Sequence, residues 1–99
     1  MPAKQTLQRY GLSAAEFDAM LEAQSGLCAI CERVPSTGRW VIDHEHVKGW
    51  KGWKPERRKQ YVRGVLCWWC NHAYLARGMT AKKARRIAAY LEAYDSRAA

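Results

Sequence analysis

No stretch of this chain approaches the roughly 20 apolar residues needed to cross a bilayer, so no membrane partner is expected. The start, Met1-Pro2-Ala3-Lys4-Gln5, is polar and no apolar run follows, so no signal peptide is expected and the cytoplasm is the expected location. No cysteine stands outside a Cys-x-x-Cys pair, and no βαβ pattern of the thioredoxin kind accompanies those pairs. Low-complexity segments and domain linkers are absent, so residues 1–99 read as one domain, with 1–9 as a flexible lead and 95–99 as a flexible tail. A chain this short buries a limited core, and such domains add a metal or disulfides as staples. Acidic residues are nearly missing between Lys48 and Arg63. Seven bases (Lys48, Lys51, Lys54, Arg57, Arg58, Lys59, Arg63) meet one acid, Glu56, a net of +6 in a chain of formal charge +8. Residues 1–26 by contrast carry a net of −1. Positive charge gathered in one segment points to a polyanion, with DNA or RNA favoured over a merely solvated loop.

What is present is organised around cysteine. Cys28-Ala29-Ile30-Cys31 and Cys67-Trp68-Trp69-Cys70 are separated by 35 residues. In a reducing compartment two such pairs read as metal ligands before disulfides. Four thiolates make a closed tetrahedral zinc site with no open coordination position, so this Zn2+ is structural. The long interval implies that something is inserted between the knuckles.

Local signals place the elements. Ser13 to Glu16 fits a capping box, Leu12 and Phe17 fit a hydrophobic staple, and Phe17, Met20 and Leu21 mark the inward face of a helix that Gly26 stops. One helical turn is expected at Leu7–Tyr10. Pro35 to Gly38 reverse the chain, Arg39–Ile42 read as a strand ending at Asp43, and Tyr61–Leu66 as a second strand. Gly64 marks a bulge or a close backbone approach. Strand, basic loop and strand predict a hairpin. A short helix is expected from Trp68–Asn71 to about Ala76, stopped by Gly78. Thr80 caps a last helix over 81–94 with Ala84, Ile87, Ala88, Leu91 and Tyr94 as its apolar stripe. Trp50 and Trp53 either stack on bases or cover the hairpin's back; Trp68 and Trp69 read as packing residues, at least one of them in the core.

The inserted chemistry is Asp43-His44-Glu45-His46. Phosphodiester hydrolysis needs a base near pH 7, which suits histidine, and a divalent ion held by hard oxygens, which suits Asp and Asn. Asp43 and Asn71 can supply the oxygens and His44 the base. Neighbouring strand residues point to opposite faces, so Asp43 and His44 converge only if the strand ends or bends there.

Taken together, Cys28–Cys31, Asp43-His44-Glu45-His46 and Val62-Arg63-Gly64-Val65-Leu66-Cys67-Trp68-Trp69-Cys70-Asn71, with a helix carrying Ala88-Ala89-Tyr90-Leu91, resemble the recombination endonuclease VII branch of the HNH, or ββα-metal, nuclease superfamily. The resemblance covers about residues 10–94. It implies an α+β fold, a zinc-stapled ββα-metal (His-Me finger) core with flanking N- and C-terminal helices. It implies a DNA endonuclease, phage-type and hence at work in the host cytoplasm, that nicks or cuts branched DNA to leave a 5′-phosphate and a 3′-hydroxyl. Asp43 and Asn71 would hold Mg2+ or Mn2+, His44 would be the general base, and His46 would support it, or the two histidines would exchange roles. The bases from Lys48 to Arg63 would hold the DNA backbone. Junction-resolving members carry a further C-terminal region that helps build an intertwined dimer, so monomer and homodimer both stay open here. The rival reading is a non-catalytic zinc-ribbon nucleic-acid binder.

Overall fold

The computed structural model describes residues 1–75 and 78–98. In chain order the elements are α1 (Lys4–Arg9), α2 (Ala14–Ala23), β1 (Trp40–His44), a 3-10 turn (Trp50–Gly52), α3 (Pro55–Lys59), β2 (Val62–Cys67), a π-helical turn (Cys70–Tyr74) and α4 (Ala81–Ala98). The expected end of the short helix at Ala76 lies outside the described residues. The structure is a small α+β fold around a two-stranded antiparallel sheet.

α2 begins as its sequence dictates. The Ser13 hydroxyl accepts from the Glu16 amide at 3.1 Å, and the Glu16 carboxylate accepts from the Ser13 amide at 2.9 Å. Leu12 and Phe17 are both buried in one cluster with Leu7, Ile42 and Val65. Leu7 corrects the expectation of a flexible lead over residues 1–9: α1 packs onto the core through that side chain. Its start carries no side-chain cap, and the helix begins at Lys4, ahead of the turn expected at Leu7–Tyr10. At the other end, residues 95–98, expected as a flexible tail, continue α4.

The strands pair Trp40 with Cys67, Val41 with Leu66, Ile42 with Val65 and Asp43 with Gly64; the register then slips so that His44 opposes Val62. Arg63 is the extra residue of this β-bulge, and a bulge bends its strand and re-aims a side chain. Alternation along the ladder sorts the faces. Ile42 and Val65 face α1 and α2, while Leu66 faces a second cluster with Cys28 and Cys70. Gly64 combines both expectations, since it adjoins the bulge and a Cβ there would lie 3.1 Å from the Gln24 Oε1. Gln24 itself ties α2 to β2: its amide nitrogen donates to the Val65 carbonyl at 2.8 Å and the Leu27 carbonyl at 2.9 Å, and its oxygen accepts from the Val65 amide at 2.9 Å.

Two further side-chain expectations change. Trp68 and Trp69 are 40% and 61% exposed, so neither is a core residue; Trp68 instead stacks on His72 with centroids 4.3 Å apart. α4 begins on the expected cap, with the Lys83 amide donating to the Thr80 hydroxyl at 3.1 Å. Its stripe is nevertheless in solvent, with Ile87, Leu91 and Tyr94 all about half exposed or more.

Candidate active site and metal centre

The first knuckle is shaped by its own backbone. The Cys28 amide donates to the Arg33 carbonyl and the Glu32 amide to the Cys28 carbonyl, each at 3.0 Å, while the Ala29 amide reaches the Val65 carbonyl at 3.3 Å. β2 runs directly into the second knuckle. The Sγ atoms of Cys28, Cys31, Cys67 and Cys70 consequently lie within 4.8 Å of one another, and none is in a disulfide. Zn–S bonds of about 2.3 Å in a tetrahedron place sulfurs about 3.8 Å apart, and Cys31 and Cys67 stand 3.9 Å apart. The four cysteines thus fit a zinc ion. Amides already point at the sulfurs: Cys67 donates to Cys28 at 3.3 Å and Cys70 to Cys67 at 3.4 Å.

The electrostatics of the cluster agree. Burial alone would raise the Cys28 thiol, but the amides of Cys31, Cys67 and Ile30 outweigh it and draw the pKa down to about 6. Burial raises the thiols of Cys31 and Cys70, and neighbouring sulfurs add to this. The Cys28 thiolate therefore forms readily, while burial and the neighbouring sulfurs hold back those of Cys31 and Cys70. A dication removes that resistance. Among the described residues this is the one set of three or more Cys, His, Asp or Glu residues arranged to hold an ion.

Asp43 and His44 leave β1 on opposite faces. Asp43 is buried, at 4% exposure, on the face shared with Leu66. Both its oxygens are engaged by the Arg63 guanidinium, Nε at 2.7 Å and an Nη at 3.0 Å. This fork raises the Arg63 pKa further. His44 lies on the other face, stacked on Trp50 with centroids 4.1 Å apart and tilted against Tyr10 at 5.5 Å. Of the two conditions for convergence, that the strand ends or bends there, the structure shows a bend: the register slips between Asp43 and His44, and His44 lies toward α1. The structure does bring His44 and His46 together, with ring centroids 4.8 Å apart. Burial, reinforced by the charge of His46, lowers the His44 pKa below 6.5, so its ring is neutral at pH 7. Asn71 follows Cys70 in the π-helical turn and is half-buried.

Two cavities flank the histidines. A cleft of about 890 Å³ is lined by Arg9, Tyr10, His44, His46, Lys48, Trp50, Lys51 and Arg58, among others. A smaller one of about 320 Å³ is lined by Glu45, His46, Arg63, Leu75, Gly78, Met79 and Thr80. His46 borders both. Arg9, Tyr10 and the buried Trp50 are cleft residues that the sequence did not single out for a site beyond the open reading of Trp50. The signal for Trp50 was an aromatic ring set among basic residues; nothing local marked Arg9 or Tyr10.

The basic segment divides by what each side chain touches. Arg58 points inward: it donates to the carbonyls of Trp50 at 3.2 Å, Arg9 at 3.1 Å and Lys51 at 2.6 Å, and so fastens the loop to α1. Lys59 pairs with Glu16, and Arg57 lies over the Trp53 ring at 3.7 Å. Lys48, Lys51 and Lys54 are exposed and enter neither of the two ion pairs found among the described residues.

Comparison with known proteins adds a decisive observation. A family model described as recombination endonuclease VII matches residues 3–93. The chain belongs to the recombination endonuclease VII family. Within 66 residues it is also 38% identical to the Gene 59 protein of Mycobacterium phage D29, covering 66% of this chain and 33% of that protein. The Gene 59 protein of Mycobacterium phage L5 is 35% identical over 66 residues, 66% of this chain and 34% of that protein. The match spans about a third of the length of these curated relatives. No solved structure matches the chain. No helix among the described residues is long and apolar enough to cross a membrane.

Proposed function

We propose that the chain is a divalent-metal-dependent DNA endonuclease of the HNH type, acting in the host cytoplasm of a phage. The observation that carries this reading is the family match over residues 3–93, which contains both the Asp43–His46 cluster and the Cys67–Asn71 join. The order of elements agrees with a ββα-metal core: β1, β2, then a helical turn that starts at the zinc knuckle.

In this reading Asp43 and Asn71 hold Mg2+ or Mn2+, for which their side-chain oxygens are the appropriate hard donors. Asp43 fits that task once its carboxylate is released from Arg63. When bound, the ion would offset charge growing on the phosphate and the leaving 3′-oxygen. His44, neutral at pH 7, takes a proton from the attacking water on its free ring nitrogen. His46 orients it from the adjacent position. Lys48, Lys51 and Lys54 hold the DNA backbone and contribute little base readout. One active centre per chain nicks one strand, leaving a 5′-phosphate and a 3′-hydroxyl. A second assignment, with His46 as the base, is favoured by one observation: His46 alone of the two histidines borders the cavity at Arg63.

Nicking of supercoiled plasmid by zinc-loaded protein with Mg2+ or Mn2+ tests the class. His44→Ala should lower the rate by about 10²–10⁴, the usual contribution of a general base. If His46→Ala shows that loss and His44→Ala does not, the second assignment holds. Binding without cleavage of duplex, single-stranded or branched DNA would support the non-catalytic binder instead.

A further inference from the structure

We infer that Arg63 is the resident counter-ion of Asp43, and that Arg63 pairing and divalent-ion binding at this carboxylate exclude one another. The inference rests on the divalent-ion reading of Asp43 given above and deepens it.

A carboxylate as buried as Asp43 is costly unless it is paired and hydrogen-bonded. Before an ion arrives, something else must supply the positive charge. The bulge at Asp43/His44 makes Arg63 the extra residue of its strand, so its side chain reaches back to Asp43. The guanidinium covers both carboxylate oxygens, at 2.7 and 3.0 Å, the atoms a divalent ion would use. The two partners differ sharply in access: the Asp43 side chain is 5% exposed and that of Arg63 is 44% exposed. Arg63 can therefore swing into water by side-chain rotation alone, while Asp43 stays in place. The small cavity beside Arg63, with Glu45 and His46 on its wall, gives an ion a route to the vacated position. Asp43 is held in a geometry ready for a cation at all times. The protein's affinity for the ion is lowered by the fraction of molecules in which Arg63 is seated.

The test uses Mn2+ alone with the zinc-loaded full chain, free Mn2+ being read by electron paramagnetic resonance without DNA. Arg63→Gln should bind Mn2+ about tenfold more tightly than wild type, the scale of one charge-assisted hydrogen bond. Arg63→Lys, which keeps the charge and loses the two-pronged fork, should lie between them. Without Mn2+ the Arg63→Gln protein should melt below wild type, and saturating Mn2+ should narrow the gap. Asp43→Asn separates the two layers of the argument. If it abolishes Mn2+ binding while Arg63→Gln binds no more tightly than wild type, the counter-ion role is overturned and the divalent reading stands. If Asp43→Asn binds Mn2+ as wild type does, the divalent reading fails and the Arg63 role with it. Should Arg63→Gln fail to fold even with Mn2+, Arg63→Lys decides, and an affinity no tighter than wild type overturns the proposal.

Discussion

In the proposed role His44 can act as a base only while its ring is uncharged, and its surroundings favour that form. Burial between Trp50 and Tyr10 disfavours the imidazolium, as does the neighbouring His46, so the folded pKa lies below 6.5. Nicking should therefore persist on the acid side further than an ordinary histidine allows, with the rate falling only as pH drops through the lowered folded value. The same shift acts on stability. Between the folded and unfolded pKa values the unfolded chain binds the extra proton, so stability rises with pH there. The contribution is fully present above 6.5 and is lost as pH falls through the folded pKa. Parallel pH profiles of nicking and of chemical denaturation in wild type and His44→Gln check both, since the variant should lose this acid-side dependence. At this scale the sequence was legible in residue type and illegible in direction. It offered Asp43, His44 and His46 as candidate site residues. It did not show that Arg63, which reads simply as one more base of the Lys48–Arg63 run, closes on Asp43, because that contact depends on a register slip.

At the scale of elements, signals that act within a few residues were readable. The Ser13–Glu16 box, the Leu12–Phe17 staple, the Thr80 cap and both knuckles lie where short-range chemistry puts them. Elements whose stability comes from a distant partner were readable only in part, as α1 was from its turn at Leu7–Tyr10. α1 has no cap and is anchored by Leu7 in a core made largely by later residues. Trp68 and Trp69 look like core residues by size, yet the knuckle turns them outward. Gln24 is the strongest case of a link invisible in the sequence, since its three hydrogen bonds join α2, the first knuckle and β2. Gln24→Ala should destabilise the fold by about 1–3 kcal/mol, because the Val65 amide and carbonyl lose their partner. Urea denaturation of the zinc-loaded protein measures this, and a change within experimental error would show that water replaces the amide. Ser13→Ala should cost about 1 kcal/mol in the same assay.

For the whole molecule, two small clusters share the sheet, one apolar and one built on sulfur. The second brings together four sulfurs that fit a zinc ion. Cys67→Ser or removal of zinc by a chelator should unfold the domain and abolish nicking together, since metal binding and folding are coupled. Circular dichroism followed through chelation and zinc re-addition checks this. Association with DNA should weaken steeply with salt, as expected when lysines displace counter-ions from phosphates. Substituting Lys48, Lys51 or Lys54 singly by Ala should each lower the salt slope by about one. Arg58→Ala should act differently, loosening the loop and lowering the melting temperature, because its three carbonyl bonds are internal.

The separation of the knuckles by 35 residues also sets an order of events during synthesis. Cys28 and Cys31 leave the ribosome well before Cys67 and Cys70, a wait of about two to eight seconds at ~5–20 residues per second. Throughout that interval the first pair alone could offer a zinc ion only two sulfurs. Only when β2 has emerged and paired with β1 do four sulfurs meet. Closure of the hairpin is thus the step that would commit an ion, since the four-sulfur site is complete only once the strand carrying Arg63 has been made.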